Sequence, residues 1–426
     1  MEILVMFGAM LLLIALGLPI GYAIATSTII TFIGFSSTPL RIVAQNAFTG
    51  IDSFVLLAIP FFILAGILMS AGGVARRLID IADAFIGWIT GGLGMASVLT
   101  ATFFGAISGS GAATTSAVGS LMLPEMKRKK YGDEFSACLI ASAGSIGVII
   151  PPSIPLVVYG VTVGTSVGDL FLAGIPAGIA MCIVLMIACY IISKKHGYRG
   201  SDTRPSVRNI AVAMKEGIWA LLAPVIILGG IYSGIFTPTE SAVVAVVYSI
   251  IIGLFVYKEL DLKKLKKSFY EAAVLNGVIV FIIGFSGAMA KYLTLENVPQ
   301  RVSEAILSLT HSPFLVLLII NVFLLIVGML IDNIPAIIIL SPIFLPVVQS
   351  VGVTPLQFGV IIVLNLAIGY VTPPYGTTLF VASAISKISV DRLAKYAILF
   401  TLVLCIPLAL VTYCSAFTNG FVALFK

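Results

Sequence analysis

The chain has 426 residues, 60% of them hydrophobic and only 10% charged, with a mean hydropathy of +1.16. Apolar runs of about 20 residues recur along its whole length, which excludes a water-soluble enzyme or an anchored soluble domain and points to a polytopic helical membrane protein. The net charge of +6 is gathered in short loops, where it reports orientation rather than nucleic-acid binding.

The first apolar run, from Ile3, has no basic leader or A-x-A-like cleavage site and reads as a retained span. The first 35 residues fit one long span or two short ones broken at Gly17-Leu18-Pro19. Arg76-Arg77 and the run Lys127 to Lys130 are both basic and so both cytoplasmic, so the apolar chain between them leaves and returns to one side. Its middle, FFGAISGSGAATTSAVGS (103–120), has the composition of a loop rather than of a lipid-facing span. A re-entrant hairpin near 90–125 is predicted, since such a tip is tolerated only inside protein or beside a watery cavity. Tight helix packing through small residues is the alternative reading of the same stretch.

Two passes (135–163 and 168–193) lead to the basic loop Lys194 to Arg208, and two more (210–232 and 238–257) lead to KELDLKKLKK (258–267). That segment is expected to form a short basic amphipathic helix on the cytoplasmic surface. Segment 268–292 then crosses to the periplasm. A second hairpin, 312–349, dips in from that side with Asp332, Asn333 and Pro335 at its centre, followed by the uncharged outer loop QSVGVTP (349–355). Arg392 and Lys395 mark the last cytoplasmic cluster.

Two proline pairs carry the architecture. IGVIIPP (146–152) and IGYVTPP (368–374) each place Pro-Pro inside an apolar span, where proline breaks the helix. Pro373 follows Pro151 by 222 positions, and the same offset relates Gly369 to Gly147, Asp332 to Ser110 and Pro346 to Pro124. Five passes separate the hairpins, and an odd number inverts the second copy. The expected fold is all-α and polytopic, an inverted-topology repeat with two re-entrant hairpins and two discontinuous helices, as in secondary transporters. Such folds bind substrate and ions near the midplane, where interrupted helices expose carbonyls and half-helix ends.

Sodium takes hard oxygen ligands. The first copy offers Ser108 and Ser110 at the hairpin tip, facing Ser145 and the carbonyls before Pro151. The second offers Asp332 and Asn333, facing Thr372, Thr377 and the carbonyls before Pro373. Asp332 is the most telling, because a carboxylate at membrane depth is costly and by default functional. No lysine or arginine is expected in this pocket, so an anion would be held by hydroxyls, backbone N–H groups, helix N-termini and bound cations. Lys291, Glu216 and Glu240 read as interfacial or structural; Thr237-Pro238-Thr239 before Glu240 is a helix-start pattern. Five cysteines without CxxC spacing read as buried free thiols. Na+ is the only metal expected, with no transition metal and no organic cofactor.

The motifs PEMKRKKYGDEFSA (124–137), IGVIIPPS, GGIYSGIFTPTESAVVAVVYS (229–249) and YVTPPYGTTLF (370–380) together resemble the large membrane subunit (DctM-like) of tripartite ATP-independent periplasmic (TRAP) transporters. Within that family the chain resembles the sialic-acid, SiaM-type subgroup. The resemblance implies sodium-driven elevator transport across the bacterial inner membrane, with a small four-helix membrane subunit and a periplasmic substrate-binding protein as partners. It also implies substrate contacts at Ser110, Gly111 and Ser153, with backbone at Pro151 and Pro373. Gly111 stands where many relatives carry a hydroxyl. The implied organisation is scaffold helices and an arm (1–89), first hairpin and broken helix (90–163), and scaffold with cytoplasmic helix and arm (164–311). The second hairpin and broken helix (312–388) and a C-terminal scaffold helix (389–426) complete it. The implied activity is sodium-coupled uptake of an organic acid, sialic acid first, with a C4-dicarboxylate as the alternative substrate.

Other functions fit less well. GSGAATTS lacks the lysine of a phosphate-binding loop. GFSG (284–287) matches an intramembrane serine protease pattern, but His196 and His311 lie at neither end near the depth of Ser286. An ion channel could also use re-entrant hairpins, though usually as a symmetric oligomer.

Overall fold

The computed structural model describes residues 2–35, 39–200 and 206–425, and the elements it contains are helices. Part of the basic loop Lys194 to Arg208, residues 201–205, lies outside the described residues. The first 35 residues form two short helices, α1 (Glu2–Ala15) and α2 (Ile20–Phe35). Between them Gly17 takes φ 89°, a left-handed turn that glycine adopts without steric cost. α3 (Arg41–Thr49) leads through a 3-10 turn at Phe54–Leu57 into α4 (Ala58–Ala71). α5 (Val74–Ile86) is amphipathic, burying Val74, Leu78 and Ile81 while Arg76 and Asp80 stay exposed.

The first hairpin is α6 (Gly92–Ser108) and α7 (Gly111–Arg128), joined by Gly109 and Ser110 alone. α8 (Asp133–Ile149) and α9 (Ile154–Val163) are one span interrupted at the proline pair. α10 (Val167–His196), α11 (Val207–Tyr232) and α12 (Pro238–Ile251, continued as a π-helix to Val256) follow. Thr237 and Glu240 cap α12 reciprocally: Thr237 Oγ1 accepts from Glu240 N at 3.2 Å, and Glu240 Oε2 accepts from Thr237 N at 2.8 Å. Glu240 therefore has the structural role expected of it.

The basic segment 258–267 departs from expectation. Asp261 caps one continuous 34-residue helix, α13 (Leu262–Leu295), accepting from Lys264 N at 2.7 Å, so the lysines form its first turns instead of a separate surface helix. No proline occurs between Leu262 and Leu295 to break it. Then come α14 (Val298–Leu309), the second hairpin α15 (Pro313–Gly328) and α16 (Asn333–Ser350), the second interrupted span α17 (Pro355–Gly369) and α18 (Thr377–Ser386), α19 (Val390–Tyr413) and the short α20 (Asn419–Ala423).

Among the described residues, eight helices are long and apolar enough to cross a membrane, and five of these spans lie between the hairpins. The interrupted helices form the centre. Every residue from Phe135 to Gly160 and from Gln357 to Val371 is buried. The two copies interlock: α9 packs on α16 and α17, while α18 packs on α7 and α8. Each half-helix thus lies against the other copy's hairpin. α10 and α19 pack on the interrupted helices: α10 touches α6, α8 and α17, and α19 touches α8, α17 and α18. The outer group is α1 to α4 with α11, α12 and α13, in which α13 contacts α2, α3 and α4.

Candidate functional site: two hairpin tips beside two broken helices

α7 and α16 are both 18 residues long, and their starts, Gly111 and Asn333, are 222 positions apart. Their N-caps are Ser110 and Asp332. Each tip therefore presents a helix N-terminus, the end whose free N–H groups and dipole favour negative charge and polar ligands.

The first tip is built by close backbone packing. Gly109 has φ +60°, and a Cβ there would lie 2.6 Å from Pro152 O. A Cβ on Gly105 would lie 2.6 Å from Gly147 Cα, and one on Gly66 of α4 would lie 3.0 Å from Ser108 Cα. The hydroxyls close on one another: Ser108 Oγ and Thr114 Oγ1 are 2.9 Å apart, and Thr114 Oγ1 donates to Ser110 O at 2.8 Å. Ser145 does not meet them, since it donates to Ser142 O of its own helix at 2.8 Å; Gly147 abuts the tip in its place. Ser153 caps α9, accepting from Leu156 N at 3.2 Å and donating to Val148 O, so its hydroxyl is used inside the fully buried break with Pro151. Gly111 is packed tightly: a Cβ would meet Val148 Cγ2 at 2.9 Å and Thr378 Cγ2 at 3.2 Å. That leaves little room for any side chain at this position, and brings the second copy's broken helix to the first copy's tip.

The second tip is built by charge. Asp332 Oδ1 accepts from the Tyr370 hydroxyl and from Asn333 N at 2.7 Å. Asn333 is 1% exposed, yet its Oδ1 and Nδ2 have no hydrogen-bond partner. A buried amide left unpaired costs free energy unless something else fills its place. With the carboxylate beside it, the oxygen donors at this tip have the chemistry of a hard-cation site. Thr372 turns away, donating to Ile368 O at 2.9 Å with its Oγ1 3.1 Å from that of Thr401. Thr377 opens α18 at half-burial, while its neighbour Thr378 donates to Tyr370 O at 2.8 Å. Pro373 is half-buried and Pro374 exposed, in contrast to the sealed first break.

Tyr370, Thr114 and Thr378 are the residues that sequence reasoning missed. Tyr370 stood in the quoted motif two positions before Thr372, but nothing in the sequence brings its hydroxyl to Asp332. The expectation of a pocket without cations also fails. A cavity of about 570 Å³ runs from Ser108 and Ser110 to Lys264 and Lys267 at the start of α13. A second cavity, of about 400 Å³, is lined by Asn46, Thr49, Thr162 and Lys291 toward the other end of that helix. α13 walls both because it is continuous where two separate elements were expected.

The model of the family described as "Tripartite ATP-independent periplasmic transporter, DctM component" matches residues 7–417. The chain belongs to the DctM family of TRAP transporter permeases. It is a multi-pass inner-membrane protein, and the family is one of transporter permeases, not enzymes. It is 44% identical over 412 residues to the isethionate TRAP transporter permease protein DctMQ of Oleidesulfovibrio alaskensis, covering 97% of this chain but only 65% of that longer protein. It is 41% identical to the C4-dicarboxylate TRAP transporter large permease protein DctM of Pseudomonas aeruginosa, covering 92% of both chains. It is 38% identical to the sialic acid TRAP transporter large permease protein SiaM of Vibrio cholerae, covering 97% of this chain and 96% of that one. In fold it is similar to the YdaH transporter of Alcanivorax borkumensis, with a TM-score of 0.62, 12% identity, and 88% and 87% of the two chains covered.

Proposed function

We propose that this DctM-family chain is the membrane carrier of a sodium-coupled uptake system for a small organic anion. The observation that carries the reading is the second tip: a carboxylate, Asp332, beside a buried amide, Asn333, whose polar atoms have no partner. A sodium ion there would take oxygens from Asp332 and Asn333, and the paired tip at Ser108 and Ser110 would supply hydroxyl and backbone oxygens to a second site. The anion would lie between the tips, against helix N-termini and bound cations, with Lys291 in the outer cavity. The relatives named for isethionate, C4-dicarboxylates and sialic acid are all similar to this chain at comparable identity, so the shared substrate class is a carboxylate or sulfonate of modest size. Sialic acid, favoured by the sequence motifs, is one member of that class.

The packing supports a division of labour. α6 to α10 and α15 to α19 would move as a unit past α1 to α4 and α11 to α13, with the amphipathic α5 and α14 as connecting arms. A small membrane subunit and a periplasmic binding protein would complete the system, as in the family's tripartite plan. The test is uptake into proteoliposomes of isethionate, succinate and N-acetylneuraminate, each with its binding protein and the small subunit. One of the three should accumulate under an inward sodium gradient and not under potassium. Equal uptake in potassium, or accumulation of none of the three, contradicts the proposal.

A further inference from the structure

The first five turns of α13 carry a pattern that the carrier reading leaves unused. Lys264, Lys267, Ser268, Glu271, Leu275 and Ile279 recur at three- and four-residue steps, so they share one helix face, and all of them line the cavity of about 570 Å³ that ends at Ser108 and Ser110. Lys263 and Lys266 lie on the same turns and are exposed, but do not line this cavity. The opposite wall is the small-residue face of α7, where Ser110, Ala113, Ser116 and Ala117 leave the space open. Lys264 Nζ donates to Glu259 O at 2.6 Å, and Lys267 Nζ stands 3.7 Å from Glu271 Oε1, so both ammonium groups are held at the mouth of the cavity. From Lys267 to Lys291 is 24 residues of one helix, about 36 Å at 1.5 Å per residue, so the inner and outer cavities open near opposite faces of a bilayer.

We propose that Lys264 and Lys267, tempered by Glu271, make this cavity an anion-selecting vestibule on the cytoplasmic side of the first hairpin tip. The assignment rests on the carrier reading for its purpose: an anion released from the tip meets two cations and one carboxylate on its way to the cytoplasm. The physical basis is independent of that purpose. A cleft walled by apolar and small residues focuses the field of charges at its mouth, raising the local concentration of counter-ions on the order of tenfold. A general basic surface would serve orientation alone and would make all four lysines equivalent.

The experiment places a reporter in the cavity and requires no transport. Ser116→Cys is introduced into the full chain with the accessible Cys405 and Cys414 replaced by serine, the other three thiols being buried. In inside-out membrane vesicles, the reaction rates with an anionic and a cationic methanethiosulfonate reagent are compared. The anionic-to-cationic rate ratio should fall several-fold in Lys264→Gln/Lys267→Gln, stay at the starting value in Lys263→Gln/Lys266→Gln and in Lys264→Arg/Lys267→Arg, and rise in Glu271→Gln. Added salt should compress these differences by screening. A ratio unmoved by Lys264→Gln/Lys267→Gln overturns the assignment, as does an equal fall in Lys263→Gln/Lys266→Gln. Failure of sodium-driven uptake would sink the carrier reading and leave this ratio as it is.

Discussion

The two hairpin tips occupy equivalent places in the repeat and hold their shape by different means. At the first, Gly109 adopts φ +60° with Pro152 O against it, and the hydroxyls of Ser108 and Thr114 satisfy each other. At the second, the position 222 residues on from Gly109 is Ile331, an ordinary helical-turn residue whose N donates to Val327 O at 2.9 Å. There the polar work falls to Asp332, which Tyr370 and the Asn333 amide hold in place. One tip is neutral and closely packed, its hydroxyls paired with each other; the other is charged and has unpaired polar atoms. A duplicated architecture has thus kept the backbone device, a helix N-terminus at a broken span, while its two copies took up different chemistry.

Substitutions at the paired positions separate the two modes. The largest effect is expected at Gly109→Ala, which forces a side chain into a left-handed conformation at about 1–3 kcal/mol and meets Pro152 O as well. Ile331→Val, which keeps a branched apolar side chain in this buried place and makes no new backbone demand, should cost less, about 0.5–1.5 kcal/mol. Thermal unfolding in detergent, followed by tryptophan fluorescence or monodisperse recovery, checks both; equal losses would mean that the tips are not built differently. Next is Tyr370→Phe, which removes the hydroxyl that donates to Asp332 and leaves the ring in its buried place. Half-saturating sodium for uptake should rise a few-fold, and an unchanged value would detach Tyr370 from the site. Ser110→Ala should do least. Its Oγ is only a weak cap, 3.4 Å from Ala113 N, and Thr114 can still donate to the backbone carbonyl at position 110. A loss of uptake as deep as that of any change at the second tip would show that the neutral tip binds through this hydroxyl.

Much of this was legible in the sequence because its signals are local. Paired prolines, a Gly-Ser-rich tip and a carboxylate within an apolar run each break a span by their own chemistry, and the constant offset ties them together. The two-helix start at Gly17 and the capping of α12 at Thr237 are of the same kind. The partners were not legible. Tyr370 meets Asp332 across 38 positions, Thr378 reaches Gly111 from the other copy, and Ser145 and Thr372 turn back on their own helices. Such choices follow from how α18 crosses onto α7 and α8, which no spacing within either copy records. The cationic cavity walls were missed for a related reason: a run of lysines beside an apolar segment has the same pattern whether it lies on a surface or opens a long helix.

The central claim is that the charged tip carries the coupling ion, and Asp332→Asn tests it most directly. The change preserves size and removes the charge and one strong oxygen ligand. An unpaired carboxylate at this depth would cost on the order of a few kcal/mol, so the charge is worth keeping only with a cation beside it. The measurement is initial uptake rate against sodium concentration for wild type and Asp332→Asn, reconstituted with the same partners at equal assembled protein. The account predicts that the sodium requirement of the variant rises several-fold or that uptake vanishes, with assembly intact; a sodium curve superimposable on that of wild type would contradict it.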